Sequence, residues 1–251
     1  MKQRETLSTR IAPLAPYVTF IGPLVVYFAA GALISKWWSY PGESDDPSQS
    51  PVLAIAQCYG RIVLVGCLFA LVMSRLRRAF PLSVSGWSIV AGCLGAVVWI
   101  GLCRFDLEIQ LIASLGLSTD WLSQRDAIDP WSLYPTAGLR WLFLAGRFAV
   151  LVLVVPLAEE LFLRGFFIRS IEHEDWKNFP LDQIGITGIV AASVYGVLTH
   201  PGEFIAAACW FSMISLLMLR TGKFWDCVVA HGITNALLGI YVVLFQDWRL
   251  W

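Results

Sequence analysis

Long apolar blocks separated by short polar segments dominate this 251-residue chain. Seven of them, Tyr17–Leu33, Val52–Met73, Val84–Cys103, Leu139–Val155, Ile184–Thr199, Phe204–Leu219 and Trp225–Phe245, approach the roughly 20 residues that an α-helix needs to cross a bilayer. An eighth stretch, Leu157–Ser170, predicts a partly buried helix between the fourth and fifth blocks. The pattern therefore predicts an all-α fold, a polytopic membrane helical bundle of seven to eight transmembrane helices in one integral-membrane domain over residues 1–251. Pro156 stands between the fourth block and the eighth helix. Its ring removes a backbone donor and crowds the preceding turn, which predicts a kink or break there. Broken helices at membrane depth are tolerated where they line a polar cavity.

The loops orient this bundle. Lys2, Arg4 and Arg10 precede the first block, Arg75, Arg77 and Arg78 follow the second, and Arg220 and Lys223 follow the sixth, while Glu43, Asp45, Asp46, Asp106, Glu108, Asp120, Asp126 and Asp129 fill the opposite loops. The positive-inside rule then puts the N-terminus in the cytoplasm, with a retained first helix in a plasma or inner membrane. Composition narrows the function classes. At 57% hydrophobic, 14% charged and a mean hydropathy of +0.67, with zero formal net charge, the chain has no basic field to recruit nucleic acid. Its six cysteines fall in or beside apolar blocks without C-x-x-C spacing, and read as small core residues rather than a disulfide or zinc framework.

A few polar residues interrupt the apolar blocks. Glu159, Glu160 and Arg164 lie in A-E-E-L-F-L-R. Glu160 and Arg164 are four apart and meet on a helix, whereas Glu159 points about 100° away. One glutamate is thus pairable while its neighbour stays available to react. His200 ends the fifth block, and His231 and Asn235 share one face of the last. Each has a bland account (a structural ion pair, an interfacial cap, interhelical hydrogen bonds) beside a functional one. His173, amid Glu172, Glu174 and Asp175, reads as a solvated loop residue, and Arg61 and Arg147 as structural.

Taken in order, Glu-Glu-x-x-x-Arg, a histidine closing the next span and His-x-x-x-Asn resemble the motif set of the CPBP superfamily of intramembrane glutamate proteases. That superfamily includes type II CAAX prenyl endopeptidases and bacteriocin-processing proteins. The resemblance covers about residues 139–244, the expected protease-like core. The stretch from Cys227 to Tyr241 and the terminal tryptophans look like the exosortase-associated subgroup. The resemblance implies an intramembrane endopeptidase without cofactor or obligatory metal, acting on a membrane-associated protein or peptide near its C-terminus, with an exosortase-type sorting system as partner. It implies that Glu159 activates water and His200 assists, that His231 and Asn235 stabilise the oxyanion, and that Glu160 and Arg164 support the site.

Two features sit apart from that pattern. The family's aromatic residue four positions before the histidine is Gly196 here, with Tyr195 five before. Phe204–Leu219 spans only about 24 Å as an α-helix, which predicts that the His200 turn lies below the outer surface in a polar cavity. Two other readings stay open: a zinc peptidase using Glu and His ligands, and a noncatalytic partner or immunity protein that keeps the fold.

Overall fold

The structure, a computed structural model, describes residues 14–38, 50–119, 122 and 128–250. Within them the chain forms helices α1 (Ala15–Phe20), α2 (Gly22–Trp38), α3 (Pro51–Ala79), α4 (Gly86–Cys103), α5 (Leu107–Ser114), α6 (Pro130–Leu133), α7 (Ala137–Glu172), α8 (Ile186–Thr199), α9 (Phe204–Thr221) and α10 (Phe224–Phe245). Five are long and apolar enough to cross a membrane: α3, α4, α7, α9 with its preceding turn from Pro201, and α10. Gly22–Lys36 and Ile186–Thr199 are shorter apolar helices. The chain is a multi-pass helical membrane bundle, the arrangement that satisfies every backbone group of a spanning segment internally. The N-terminal residues Lys2, Arg4 and Arg10 and the acidic residues of 39–49 lie outside the described residues.

Local chemistry sets several helix ends. Ser50 caps α3, its hydroxyl accepting from the Leu53 N–H at 3.4 Å with Pro51 in the first turn. Thr136 does the same for α7. Gly222 ends α9 in the left-handed region at φ 62°, where a side chain would be strained. The start of α4 is tied to α10 because Asp226 accepts from both the N–H and the hydroxyl of Ser85, each at 2.6 Å. Glu108 of α5, 3% exposed, accepts from the Ile205 N–H at 3.0 Å and so fixes the start of α9.

Small residues bring the helices together. At Gly92 of α4 a Cβ would come within 2.8 Å of the Ala230 carbonyl, and at Gly95 within 2.7 Å of Thr234 Oγ1. Close backbone approach of this kind, not hydrophobic exclusion, drives association between helices already in lipid. The Thr234 hydroxyl donates to the Gly92 carbonyl at 3.0 Å and accepts from Trp210 Nε1 at 3.1 Å, tying α4, α9 and α10 at one point.

Helix α7 differs from the sequence expectation. The fourth block and the predicted eighth helix are one continuous 36-residue element, and Pro156 does not break it. Two π-helical segments, Val150–Val154 and Leu161–Phe167, lie within it. The first gives the reason. A π turn carries one extra residue, and the wider ring makes room where Pro156 would otherwise press on the turn before it. The helix on which the two glutamates sit is therefore reached without a break.

Candidate functional site

The site forms where α7, α8, α9 and α10 meet. After the first π segment, the α-helical stretch Val155–Glu160 delivers Glu159 and Glu160, 8% and 0% exposed. Arg164, also fully buried, lies one turn further on, in the second π segment. Its Nη1 donates to Glu160 Oε2 at 2.6 Å, and its Nη2 to the Phe211 carbonyl of α9 at 3.4 Å. A guanidinium this deep needs such a partner, and the short charge-assisted bond is the kind that meets the need.

Helix α10 supplies the next link. His231 Nδ1 lies 3.0 Å from Glu160 Oε1, and its Nε2 lies 3.8 Å from Glu159 Oε2. An ionised Glu160 can only accept, so the Nδ1 proton is assigned by that bond and Nε2 is turned toward Glu159. Trp210 packs edge-on against the imidazole at 4.6 Å, which fixes its plane. Asn235, one turn along the same face, donates from Nδ2 to the Leu151 carbonyl of α7 at 2.8 Å.

Helix α8 supplies the third side. The Tyr195 hydroxyl donates to Glu159 Oε1 at 3.0 Å. His200, at the end of α8, has Nδ1 3.1 Å from the Gly196 carbonyl and 3.0 Å from Thr199 Oγ1, with its ring between Trp99 and Phe211 at 5.3 and 5.9 Å. Gly196 stands where the sequence pattern leads one to expect an aromatic side chain, and the structure shows what takes its place. A Cβ at Gly196 would collide with the Phe211 ring, so α9 provides the aromatic surface across the helix interface. Tyr195, one residue earlier, turns to Glu159 instead.

Glu159, His200, His231 and Asn235 line one cavity, with Trp99 and Trp210 among its walls. All six residues singled out in the sequence are thus brought together: four face the cavity, and Glu160 and Arg164 stand behind His231. Sequence reasoning missed Tyr195 as a partner of Glu159, though its position five before His200 was the visible signal. Trp99 and Trp210 had no signal beyond their place in apolar blocks. A second cavity adjoins this one, lined by Asp106, Glu108, Glu203 and Arg249, and Leu250 borders both. The turn after α8 separates them, with His200 on one side and Gly202 and Glu203 on the other. Among the described residues no three His, Cys, Asp or Glu side chains cluster in the manner of a metal site.

The arrangement provides a carboxylate with a cavity before it, an imidazole whose tautomer is set from behind, and an apolar wall that limits water. Fold and site together define a polytopic membrane protein with a buried glutamate–histidine centre. Residues 141–237 match the family of Type II CAAX prenyl endopeptidase Rce1-like proteins, a segment that contains all six site residues though less than half the chain. Over this segment the chain is similar to that family. No curated protein and no solved structure matches it.

Proposed function

We propose that the protein is an intramembrane endopeptidase that uses a glutamate-activated water to cleave a peptide bond of a membrane-associated protein or peptide near its C-terminus. One observation carries the reading. Glu159 faces the cavity with one oxygen held by Tyr195 and the other 3.8 Å from His231, whose far nitrogen is anchored on Glu160 and, through it, Arg164. General acid–base groups work when geometry holds them, and this chain holds Glu159 from two sides.

In the proposed reaction Glu159 takes a proton from water as the oxygen attacks the scissile carbonyl, with His200 across the cavity helping to orient that water. The developing oxyanion falls to the imidazole side, where His231, fixed by Glu160 and Trp210, donates from Nε2 only when both ring nitrogens carry a proton. Glu159 then returns the proton to the departing nitrogen. The C–N bond breaks, the C–O bond remains, and one water is consumed per bond. The tryptophans and Phe211 keep the cavity poor in bulk water, which strengthens every one of these interactions.

The supporting residues are assigned in the same way. Glu160 and Arg164 shape the site without touching substrate. Residues 139–244 form the protease core of a single domain over 1–251. Lysine and arginine bias supports a cytoplasmic N-terminus, and the resemblance of Cys227–Tyr241 to exosortase-associated proteins supports a bacterial inner membrane and a partner of that kind.

The test is cleavage of lipidated and unlipidated hydrophobic C-terminal peptides by detergent-purified protein. Glu159→Gln is expected to lower kcat at least about 1000-fold, within the span of lost acid–base catalysis, while the protein still extracts and unfolds like wild type. Activity that survives in Glu159→Gln sinks the assignment. Loss of wild-type activity on adding a chelator transfers the reading to a metallopeptidase, and a wild type that cuts nothing leaves a noncatalytic partner.

A further inference from the structure

We infer that Asn235 is a positioning residue that completes the backbone of α7 at Pro156, and not a donor reserved for the substrate. The readout in catalysis rests on the peptidase reading above.

Hydrogen-bond accounting along α7 leaves one carbonyl over. In the π turn the Val155 N–H reaches back five residues to the Val150 carbonyl. The next carbonyl in that register, Leu151, would receive the N–H of residue 156, and residue 156 is proline, which has none. The α-type donor for Leu151 would be Val155, already used. Leu151 therefore has no donor left in its own helix, inside an apolar bundle where an unmade backbone bond is costly. Asn235 Nδ2 meets it at 2.8 Å.

The neighbouring residues fit the same purpose. Three positions before Asn235, Gly232 lets α10 lie directly on the π turn. A Cβ there would stand 2.8 Å from the Val152 carbonyl, the group that Pro156 leaves without its α-type donor. Helix α10 thus meets the turn at two successive carbonyls, once through a missing side chain and once through an amide. His231 is four residues from Asn235 on one partner, and Glu159 is eight residues from Leu151 on the other. The Asn235–Leu151 bond therefore sets the register in which His231 reaches both glutamates.

A double-mutant cycle between Pro156→Ala and Asn235→Ala tests this. Alanine at position 156 restores an N–H able to serve the turn, so it should replace the amide. With Pro156 in place, Asn235→Ala is expected to lower kcat by about 100-fold, the scale of a misplaced catalytic group. In the Pro156→Ala background the same change should cost less than about 5-fold, whereas His231→Ala should cost the same factor in both. Equal losses for Asn235→Ala in the two backgrounds would mean that the amide acts on the oxyanion directly, and would overturn the inference whatever the stabilities do. Unfolding midpoints in detergent give a second reading, with the loss from Asn235→Ala smaller when residue 156 is alanine. If the wild type cuts no peptide, the peptidase reading has failed and additive midpoints alone overturn the inference. Should Asn235→Ala not fold, Asn235→Ser, which keeps a shorter donor, takes its place in the cycle.

Discussion

Arg164 and Arg61 are both arginines set in apolar helices, and the bundle treats them in opposite ways. Arg164 is fully buried, paired with Glu160 at 2.6 Å and with a backbone carbonyl of α9. Arg61 of α3 is half-buried, its guanidinium 4.9 Å over the Tyr27 ring and pressed against Gly31; its Nε, like that of Arg164, meets no acceptor among the described residues. The first charge belongs to a network that ends at the cavity. The second is accommodated by an aromatic face and by a stem long enough to pack along apolar surface. Apolar surroundings alone therefore do not mark a functional charge, whereas a chain of short polar contacts that ends at a cavity is what supports the proposed role of Arg164.

The largest effect is expected where that network is cut behind the site. Glu160→Leu strands Arg164 and should cost about 3–5 kcal/mol, the range for breaking one side of a buried pair. Detergent extraction and unfolding midpoints measure it. Replacing both partners, Glu160→Leu with Arg164→Leu, should recover most of the stability, since two buried charges traded for apolar groups are often neutral. Activity should stay lost, because His231 then has nothing to hold its Nδ1. Recovery of activity in the double variant would mean that the pair serves the fold alone, and the contrast with Arg61 would shrink to one of depth.

A smaller effect is expected at Tyr195. Tyr195→Phe removes only the hydroxyl that holds Glu159 Oε1 and keeps the ring, which packs against Phe162 and Phe211 at 5.8 Å each. A fall of about 10-fold in kcat with KM and the unfolding midpoint little changed is expected, on the scale of one lost hydrogen bond of about 1.5 kcal/mol to a charged group. A change confined to KM would place the hydroxyl on the substrate instead of on Glu159.

How far the sequence reached follows from the range of each contact. Glu160 with Arg164, and His231 with Asn235, are spaced one turn apart, so their meeting or shared face was visible in the spacing. The apolar blocks were visible for the same reason, being runs of local composition. Contacts between helices were not. That Tyr195 would turn to Glu159, 36 residues away, or that Phe211 would fill the space over Gly196, depends on how α8 and α9 sit on α7. Pro156 does not break the helix because the rule for proline assumes an α turn before it. The π turn at Val150–Val154 changes that geometry, and no residue within Val150–Val154 announces it, since all five are valine or leucine.

The smallest effect is expected at Arg61. Leucine there loses a cation–π contact that contributes about 0.5–2 kcal/mol, and also removes a charge whose presence among apolar helices is itself unfavourable by a comparable or larger amount. The two changes oppose each other, so Arg61→Leu should leave the unfolding midpoint within a few degrees of wild type and peptide cleavage within about 2-fold. Tyr27→Leu should destabilise more than Arg61→Leu, because it takes away the aromatic face and leaves the charge behind. If Arg61→Leu instead abolished cleavage while the fold persisted, α3 would be joined to the cavity by a route other than the Glu160–His231 network. The two arginines would then differ in the kind of partner they use and not in what they do.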